Sequence, residues 1–287
     1  MRTARTPTEL TRNETFAVVD GAIGTELIGR GADASRLELE NLTHPTRVLE
    51  VARAYVQAGA QLLRTNSFQA NRVALEARAV REDVTTLNRR AAELALEAAR
   101  GNARVVGSIG PIGIRRRSPH VEVERARAAY AEQAAALVSG GAALLLLETF
   151  VDLDEAELAL EAVSNSGVRC GVSMSFDVAS GEPQTLGGAT PSDLCAVAER
   201  HGAAFVGANC GSGLWLIESV IASLSKSRLP IWLTPSAGVP GSVPSATADD
   251  FARLATRLRG TNVAYFGGCC GTDPSFVRAI AECSNTT

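Results

Sequence analysis

The chain has 287 residues, of which 46% are hydrophobic and 21% are charged, and its net charge is −3 at neutral pH. This composition is that of a soluble globular protein, and the small negative charge gives no electrostatic reason to expect a nucleic-acid partner. No apolar run approaches the ~20 residues that span a bilayer, and residues 1–15 lack the hydrophobic stretch of a signal peptide. We therefore expect a cytoplasmic protein without membrane association, in which residues 1–15 form a flexible N-terminal segment.

Eight short apolar runs, each ending in small or polar residues, are typical of buried β-strands. In chain order they are FAVVDGAIG, AQLLRTNSF, ARVVGSIGP, ALLLLETF, RCGVSMSFD, AAFVGANCG, LPIWLTPSAG and VAYFGGCCG. A segment with apolar residues at helical spacing follows each run, from PTRVLEVARAYVQAG after the first to DPSFVRAIAECS after the last. Buried strands that alternate with amphipathic helices require a parallel sheet. Eight such units predict one α/β domain over residues 1–287, a (β/α)8 TIM barrel.

The numbers and positions of lysine and cysteine residues limit the classes of enzyme that the sequence can encode. The single lysine, Lys226, lies at the polar end of a predicted helix, which excludes Schiff-base catalysis and a Walker-type phosphate loop. The six cysteines are expected to stay reduced in the cytoplasm, so a metal or catalytic role outranks a disulfide framework. Cys195 and Cys283 fall on predicted helices and Cys170 falls near the start of the fifth strand. We interpret these three as small buried hydrophobic residues.

The other three cysteines follow strands at the face of the barrel where catalytic residues are found. Cys210 ends the sixth strand, and the adjacent Cys269 and Cys270 end the eighth, so we expect the three thiols to approach one another. A bridge between the adjacent pair is improbable, because neighbouring Cα atoms lie about 3.8 Å apart, below the usual disulfide range. Three thiolates suit Zn²⁺, and three protein ligands with an open fourth position are typical of catalytic zinc. Coincidental packing of the thiols is the alternative.

Five segments, DGAIGTEL, TNSF, LLETF, GANCG and GGCCGT, occur in this order and resemble the homocysteine S-methyltransferase family over nearly the whole chain. The resemblance implies a zinc-dependent barrel enzyme that activates homocysteine as a thiolate and methylates it to methionine. It implies that Cys210, Cys269 and Cys270 are the catalytic zinc ligands. It also places Asp20 and Glu148 at the acidic positions associated with the ammonium group of the substrate. One departure is Ser236 in TPSAG, where the family usually carries Asn.

Charge alone also predicts that Asp20 and Glu148 bind the ammonium group, because two carboxylates at neighbouring strand ends complement a positive charge. The alternative is that Asp20 and Glu148 cap the helices that follow them. Other polar residues at strand ends are also predicted to bind the substrate, with satisfaction of loop backbone groups as their alternative role: Thr65, Asn66, Ser67 and Asn209.

The family divides by methyl donor, which is a sulfonium compound (S-methylmethionine or S-adenosylmethionine), betaine, or methylcobalamin on a partner domain. The chain ends one helix after its cysteine pair, without the C-terminal extension of the betaine enzymes, so we expect a sulfonium donor. A positive sulfonium suits aromatic faces. Aromatic residues that follow strand ends are candidates to hold it, with packing against helices as the alternative: Phe68, Phe150, Phe176 and Trp215.

Two further hypotheses stay open. LLETFVDLDEAE and GANCGSG look closer to the homocysteine domain of cobalamin-dependent methionine synthase, which implies a corrinoid protein as partner. A non-catalytic zinc-binding barrel is the alternative from another class, and the acidic residues at the barrel mouth argue against it. The basic run Arg115–Arg117 is more typical of a solvated face than of a docking site.

Overall fold

The computed structural model describes residues 16–113, 120–179, 182–211, 213–215, 217–238 and 246–284. The predicted flexible segment 1–15 and the basic run 115–117 lie outside these ranges. None of the helices within them combines the length and apolar character that a bilayer crossing requires. Ten strands lie within these ranges: β1 (Ala17–Val18), β2 (Leu62–Arg64), β3 (Arg104–Ile109), β4 (Leu144–Phe150), β5 (Cys170–Met174), β6 (Asp177–Ala179), β7 (Glu182–Gln184), β8 (Val206–Cys210), β9 (Ile231–Pro235) and β10 (Val263–Phe266).

Eight of these strands form one parallel sheet in the order β1-β10-β9-β8-β5-β4-β3-β2. A parallel bridge between Val19 and Leu62 joins β2 back to β1 and closes the sheet. The predicted (β/α)8 barrel is therefore confirmed, with all eight predicted strands. The antiparallel hairpin of β6 and β7 was not predicted, because its strands have only three residues each and one contains Pro183.

The helices in the described ranges include all eight predicted segments. These are α3 and α5 to α11, whereas the short α1, α2 and α4 were missed because 4 to 7 residues are too few to show helical spacing. The bounds are α1 (Ile23–Gly29), α2 (Glu40–Thr43), α3 (Pro45–Gln57), α4 (Arg72–Ala77), α5 (Val84–Ala99), α6 (His120–Ser139), α7 (Leu153–Val163), α8 (Pro191–Arg200), α9 (Ile217–Leu224), α10 (Ala248–Arg257) and α11 (Pro274–Ser284), with 3-10 turns at Leu37–Leu39 and Gly213–Trp215.

An aromatic group fills the barrel interior near the amino ends of the strands. The rings of Phe205, Trp232 and Tyr265 lie with centroids 5.2 Å apart in each pair. Gly171 on β5 leaves room for them, because a Cβ at this position would lie 2.2 Å from the Phe205 ring. Buried polar residues, among them Asp20, Arg64 and Glu148, lie nearer the carboxyl ends of the strands.

Candidate metal and substrate site

The three cysteines predicted as metal ligands meet at the carboxyl ends of β8 and β10. Cys210 is the last residue of β8, and Cys269 and Cys270 follow β10 after two glycines. Their Sγ atoms all lie within 4.8 Å of one another, and those of Cys210 and Cys270 are 3.6 Å apart. Thiolates on one tetrahedral zinc ion are about 3.8 Å apart, given Zn–S bonds of ~2.3 Å. Three partly accessible sulfur atoms at this spacing fit a soft divalent metal such as zinc.

Hydrogen bonds fix the backbone of both cysteine loops. The Cys269 N–H donates to the last carbonyl of β9 at 2.9 Å, and Thr272 Oγ1 donates to the Cys269 carbonyl at 2.7 Å. Ser236, where the chain departs from the family pattern, donates to the Cys270 carbonyl at 3.1 Å. Cys210 has a φ of +54°, which a residue other than glycine adopts only at a cost. The backbone conformation of the two loops therefore fixes the positions of the three cysteines.

The three thiols hydrogen-bond one another, and this separates their acidities. Hydrogen bonds from Cys210 and from Cys269 lower the pKa of Cys270, while hydrogen bonds to Cys269 and Cys270 raise the pKa of Cys210. The neighbouring thiols therefore stabilise the thiolate form of Cys270. Because metals are bound by thiolates, a metal that entered this site would release protons.

Arg64, which the sequence reasoning missed, joins the two predicted acidic residues. Asp20 and Glu148 do not lie at neighbouring strand ends as predicted, because β2 and β3 separate β1 from β4 in the sheet. Arg64 ends β2 and spans this gap, with Nε 2.7 Å from Asp20 Oδ1 and Nη1 2.9 Å from Glu148 Oε2. All three side chains are buried, Asp20 completely. The available signal was a basic residue directly after the apolar pair of leucines in AQLLR.

The charges of this buried group support one another. Burial raises the pKa of Asp20, and Arg64 opposes that rise. Burial also disfavours the charge on Arg64, yet the Asp20 and Glu148 carboxylates raise its pKa well above the usual value. When both carboxyl groups are ionised, they and the guanidinium carry a net charge of −1, which complements one cation.

The polar residues after β2 hydrogen-bond mainly to the protein itself. Thr65 Oγ1 and Ser67 Oγ lie 2.6 Å apart, and Ser67 Oγ donates to the Ser108 carbonyl at 2.7 Å. Asn66 Nδ2 donates to the Leu37 carbonyl at 2.7 Å. These contacts agree with the alternative role of satisfying loop groups, and substrate binding by Thr65, Asn66 and Ser67 stays a prediction.

Asn209 connects the cysteine strand to the strand that carries Glu148. Its Oδ1 accepts from the Thr149 N–H at 2.9 Å and from Ser173 Oγ at 2.7 Å, and its Nδ2 donates to Thr149 Oγ1 at 2.7 Å. Thr149 has a φ of +66°, an unusual conformation like that of Cys210. The buried amide thus braces the backbone beside both Glu148 and Cys210, while its predicted contact with substrate is a separate matter that stays a prediction.

The four aromatic candidates occupy different surroundings. Phe176 is buried and lines a small cavity together with Cys210, so it lies near that thiol. Phe68 is half-buried, and Phe150 is fully buried with its ring against a tyrosine of α6, which agrees with a packing role. Trp215 ends a 3-10 turn, and its side chain lies outside the described structure.

A second group of possible metal ligands, Glu157, Glu161 and His201, lies at the amino-terminal face of the barrel. Glu157 Oε1 is 2.7 Å from both His201 Nε2 and Arg200 Nη1, and Glu161 Oε2 is 2.9 Å from Arg127 Nη1. The hydrogen bonds from His201 and then Arg200 lower the pKa of Glu157. Because arginines already balance these carboxylates, we assign no metal to this group.

The chain is similar to several known methyltransferases. The profile of the family described as homocysteine S-methyltransferase matches residues 17–284. The methionine synthase of Mycobacterium leprae is 30% identical over 94% of this chain, which spans only 25% of that protein. Betaine–homocysteine S-methyltransferase 1 of Rattus norvegicus and S-methylmethionine–homocysteine S-methyltransferase of Pongo abelii are each 28% identical, over 83% and 84% of this chain and 64% and 70% of theirs. The metallated form of the Escherichia coli homocysteine methyltransferase MmuM matches with a TM-score of 0.78 and 26% identity, over 96% of this chain and 99% of MmuM.

Proposed function

The chain belongs to the homocysteine S-methyltransferase family, and we propose that it methylates the thiol of homocysteine to give methionine at a zinc ion held by Cys210, Cys269 and Cys270. The observation that carries this proposal is the cluster of three thiols at the carboxyl ends of the barrel strands. The metallated form of MmuM, a homocysteine methyltransferase similar over nearly the whole chain, supports a metal at such a site.

Each part of the site has a task in this reaction. Zinc bound by the cysteines would lower the pKa of the substrate thiol, so that a thiolate is available at neutral pH. The Asp20–Arg64–Glu148 group, with a net charge of −1 when both carboxyl groups are ionised, would bind the ammonium group of homocysteine through charge-assisted hydrogen bonds. Asn209 would keep the Cys210 strand and the Glu148 strand in register, so that thiol and ammonium group are held at one distance.

For the methyl donor we propose a small sulfonium compound. The relative named for S-methylmethionine supports this choice. The positive charge of a sulfonium would be stabilised by aromatic faces, for which Phe176 near the Cys210 thiol, Phe68 and Trp215 are the candidates. A second candidate is a corrinoid protein as methyl carrier, because the chain is similar to a methionine synthase.

A donor screen tests the proposal. Zinc-loaded protein is incubated with homocysteine and, separately, S-methylmethionine, S-adenosylmethionine, betaine or methylcobalamin, and methionine is measured. We expect methionine with a sulfonium donor; formation only with methylcobalamin would favour the corrinoid branch, and formation only with betaine would refute the donor assignment. Cys269→Ala should lose both zinc and turnover, whereas Cys195→Ala, a buried cysteine on α8, should keep both. Zinc binding without methionine from any donor would indicate a non-catalytic barrel.

A further inference from the structure

Arg64 connects the acidic residues to the loop that carries the metal ligands. Its side chain is only 6% exposed. While Nε and Nη1 donate to Asp20 and Glu148, Nη2 donates to the carbonyl of Gly268 at 2.8 Å. Gly268 directly precedes Cys269 in the chain. One planar side chain therefore bonds both halves of the proposed substrate site, the carboxylates and the metal loop.

The loop that receives this hydrogen bond has little room to move by itself. The Gly268 N–H donates to the Asp20 carbonyl at 3.0 Å. A Cβ at Gly268 would lie 2.3 Å from Thr272 Oγ1, which is the atom that bonds the Cys269 carbonyl. Because the donors of a guanidinium form a rigid planar fork, Arg64 transmits a fixed spacing to this close-packed loop.

The carboxylates need this arginine to hold a position. Asp20 and Glu148 come from strands that are not neighbours, and two like charges in a buried site repel each other without a cation between them. Ser108 Oγ donates a hydrogen bond to Glu148. Among the described residues, Ser108 makes no hydrogen bond to Asp20. Arg64 thus links Asp20 and Glu148 into one group.

We propose that Arg64 is a specificity-determining positioning residue: it fixes the spacing between the acidic group and the metal loop, and this spacing selects the chain length of the acceptor thiol. The inference rests on the proposed function, because it requires the ammonium group of the acceptor at the acids and its thiol at the metal. Homocysteine has one methylene more than cysteine between these two groups. A fixed spacing satisfies both ends of homocysteine but only one end of cysteine.

Binding to the zinc-loaded protein, measured by calorimetry without any methyl donor, tests this inference. The three ligands are homocysteine, cysteine and 4-mercaptobutanoate, which is homocysteine without its amino group. We expect the wild-type protein to prefer homocysteine over cysteine by about tenfold or more, as a single methylene can give. Arg64→Lys keeps the charge but loses the planar fork. It should lower this preference to below about tenfold, less than one methylene gives in a fitted site. Zinc content and 4-mercaptobutanoate binding should be unchanged.

Two further variants guard the interpretation. Arg104→Lys is the matched control, because Arg104 is a half-buried arginine at the start of β3, at the opposite end of the barrel, and its replacement should leave the preference intact. Ser108→Ala removes the other hydrogen bond of Glu148 without changing any charge. It should reduce the preference by a smaller factor, and it decides the matter if Arg64→Lys fails to fold.

The outcomes are distinct. An unchanged preference in folded Arg64→Lys, or in Ser108→Ala where that variant must decide, would overturn the inference. An equal loss of affinity for all three thiols would also overturn it, since that result indicates a general structural role. If the zinc-loaded wild-type protein binds none of the thiols, the proposed function fails and the inference fails with it. That failure is visible in the wild type alone, before any variant is compared.

Discussion

Replacing Asn209 by alanine is expected to weaken metal binding, although Asn209 is not itself a candidate ligand. Its amide makes three hydrogen bonds with Thr149 and Ser173 at 2.7–2.9 Å. At about 1 kcal/mol for each bond, Asn209→Ala should lower the free energy of unfolding by about 3 kcal/mol. The same change releases the backbone beside Cys210, and partners that orient a metal ligand typically contribute about 10- to 100-fold in metal affinity. We expect a loss of zinc affinity in that range.

The chain offers a matched control in Asn88. Asn88 is equally buried, donates to the carbonyls of Ala70 and Val84 at 2.8 Å, accepts from Gln133 at 3.2 Å, and lies on α5 outside the cysteine cluster. Urea unfolding of the metal-free proteins should show similar losses of stability in both alanine variants. Competition with a chromophoric chelator should show a loss of zinc affinity only in Asn209→Ala. Equal zinc affinities in the two variants would refute the bracing role of the Asn209 amide.

Three further predictions concern the acceptor, the core and a helix cap. Glu148→Gln should weaken homocysteine binding about 10- to 100-fold, since a charge-assisted hydrogen bond is worth ~1.5–3 kcal/mol. Calorimetry should show unchanged affinity for a thiol without an amino group. An equal loss of affinity for homocysteine and for that thiol would mean that Glu148 has a structural role. Gly171→Ala puts a Cβ 2.2 Å from the Phe205 ring and should lower the free energy of unfolding in urea by about 1–3 kcal/mol. The control Gly29→Ala has open space around it and should not lower this free energy. Equal stabilities of the two variants would contradict this packing. Hydrogen bonds from its helix cap lower the pKa of Asp250 from 3.8 to about 2, so its contribution is present above pH 3.8 and lost as the pH falls toward 2. Asp250→Asn should therefore lower the free energy of unfolding at pH 7, and urea titrations should show this loss shrinking below pH 4. A constant difference would disprove the linkage.

The sequence predicted the barrel and the thiol cluster because both depend on order along the chain. Each apolar run marks a strand, and a parallel barrel brings every strand end to the same face, so Cys210 and Cys269 could be placed together without knowing any contact. The role of Arg64 could not be predicted in this way. That role depends on how the sheet closes and on which side chains then face each other. The order of strands in the sheet cannot be read from the sequence, and this also explains the wrong prediction that Asp20 and Glu148 lie at neighbouring strand ends.

The closure of the barrel between β1 and β2 depends on a residue that we also propose for the substrate site. This seam contains one backbone bridge, between Val19 and Leu62, and just beyond it the Asp20 carboxylate accepts the Arg64 backbone N–H at 2.8 Å, where a carbonyl would continue the ladder. The carboxylate that we propose as part of the substrate site thus also takes the place of a backbone acceptor in the sheet. Evolution cannot retune Asp20 for a new acceptor independently of the fold, because any replacement must also supply a new way to fasten the barrel.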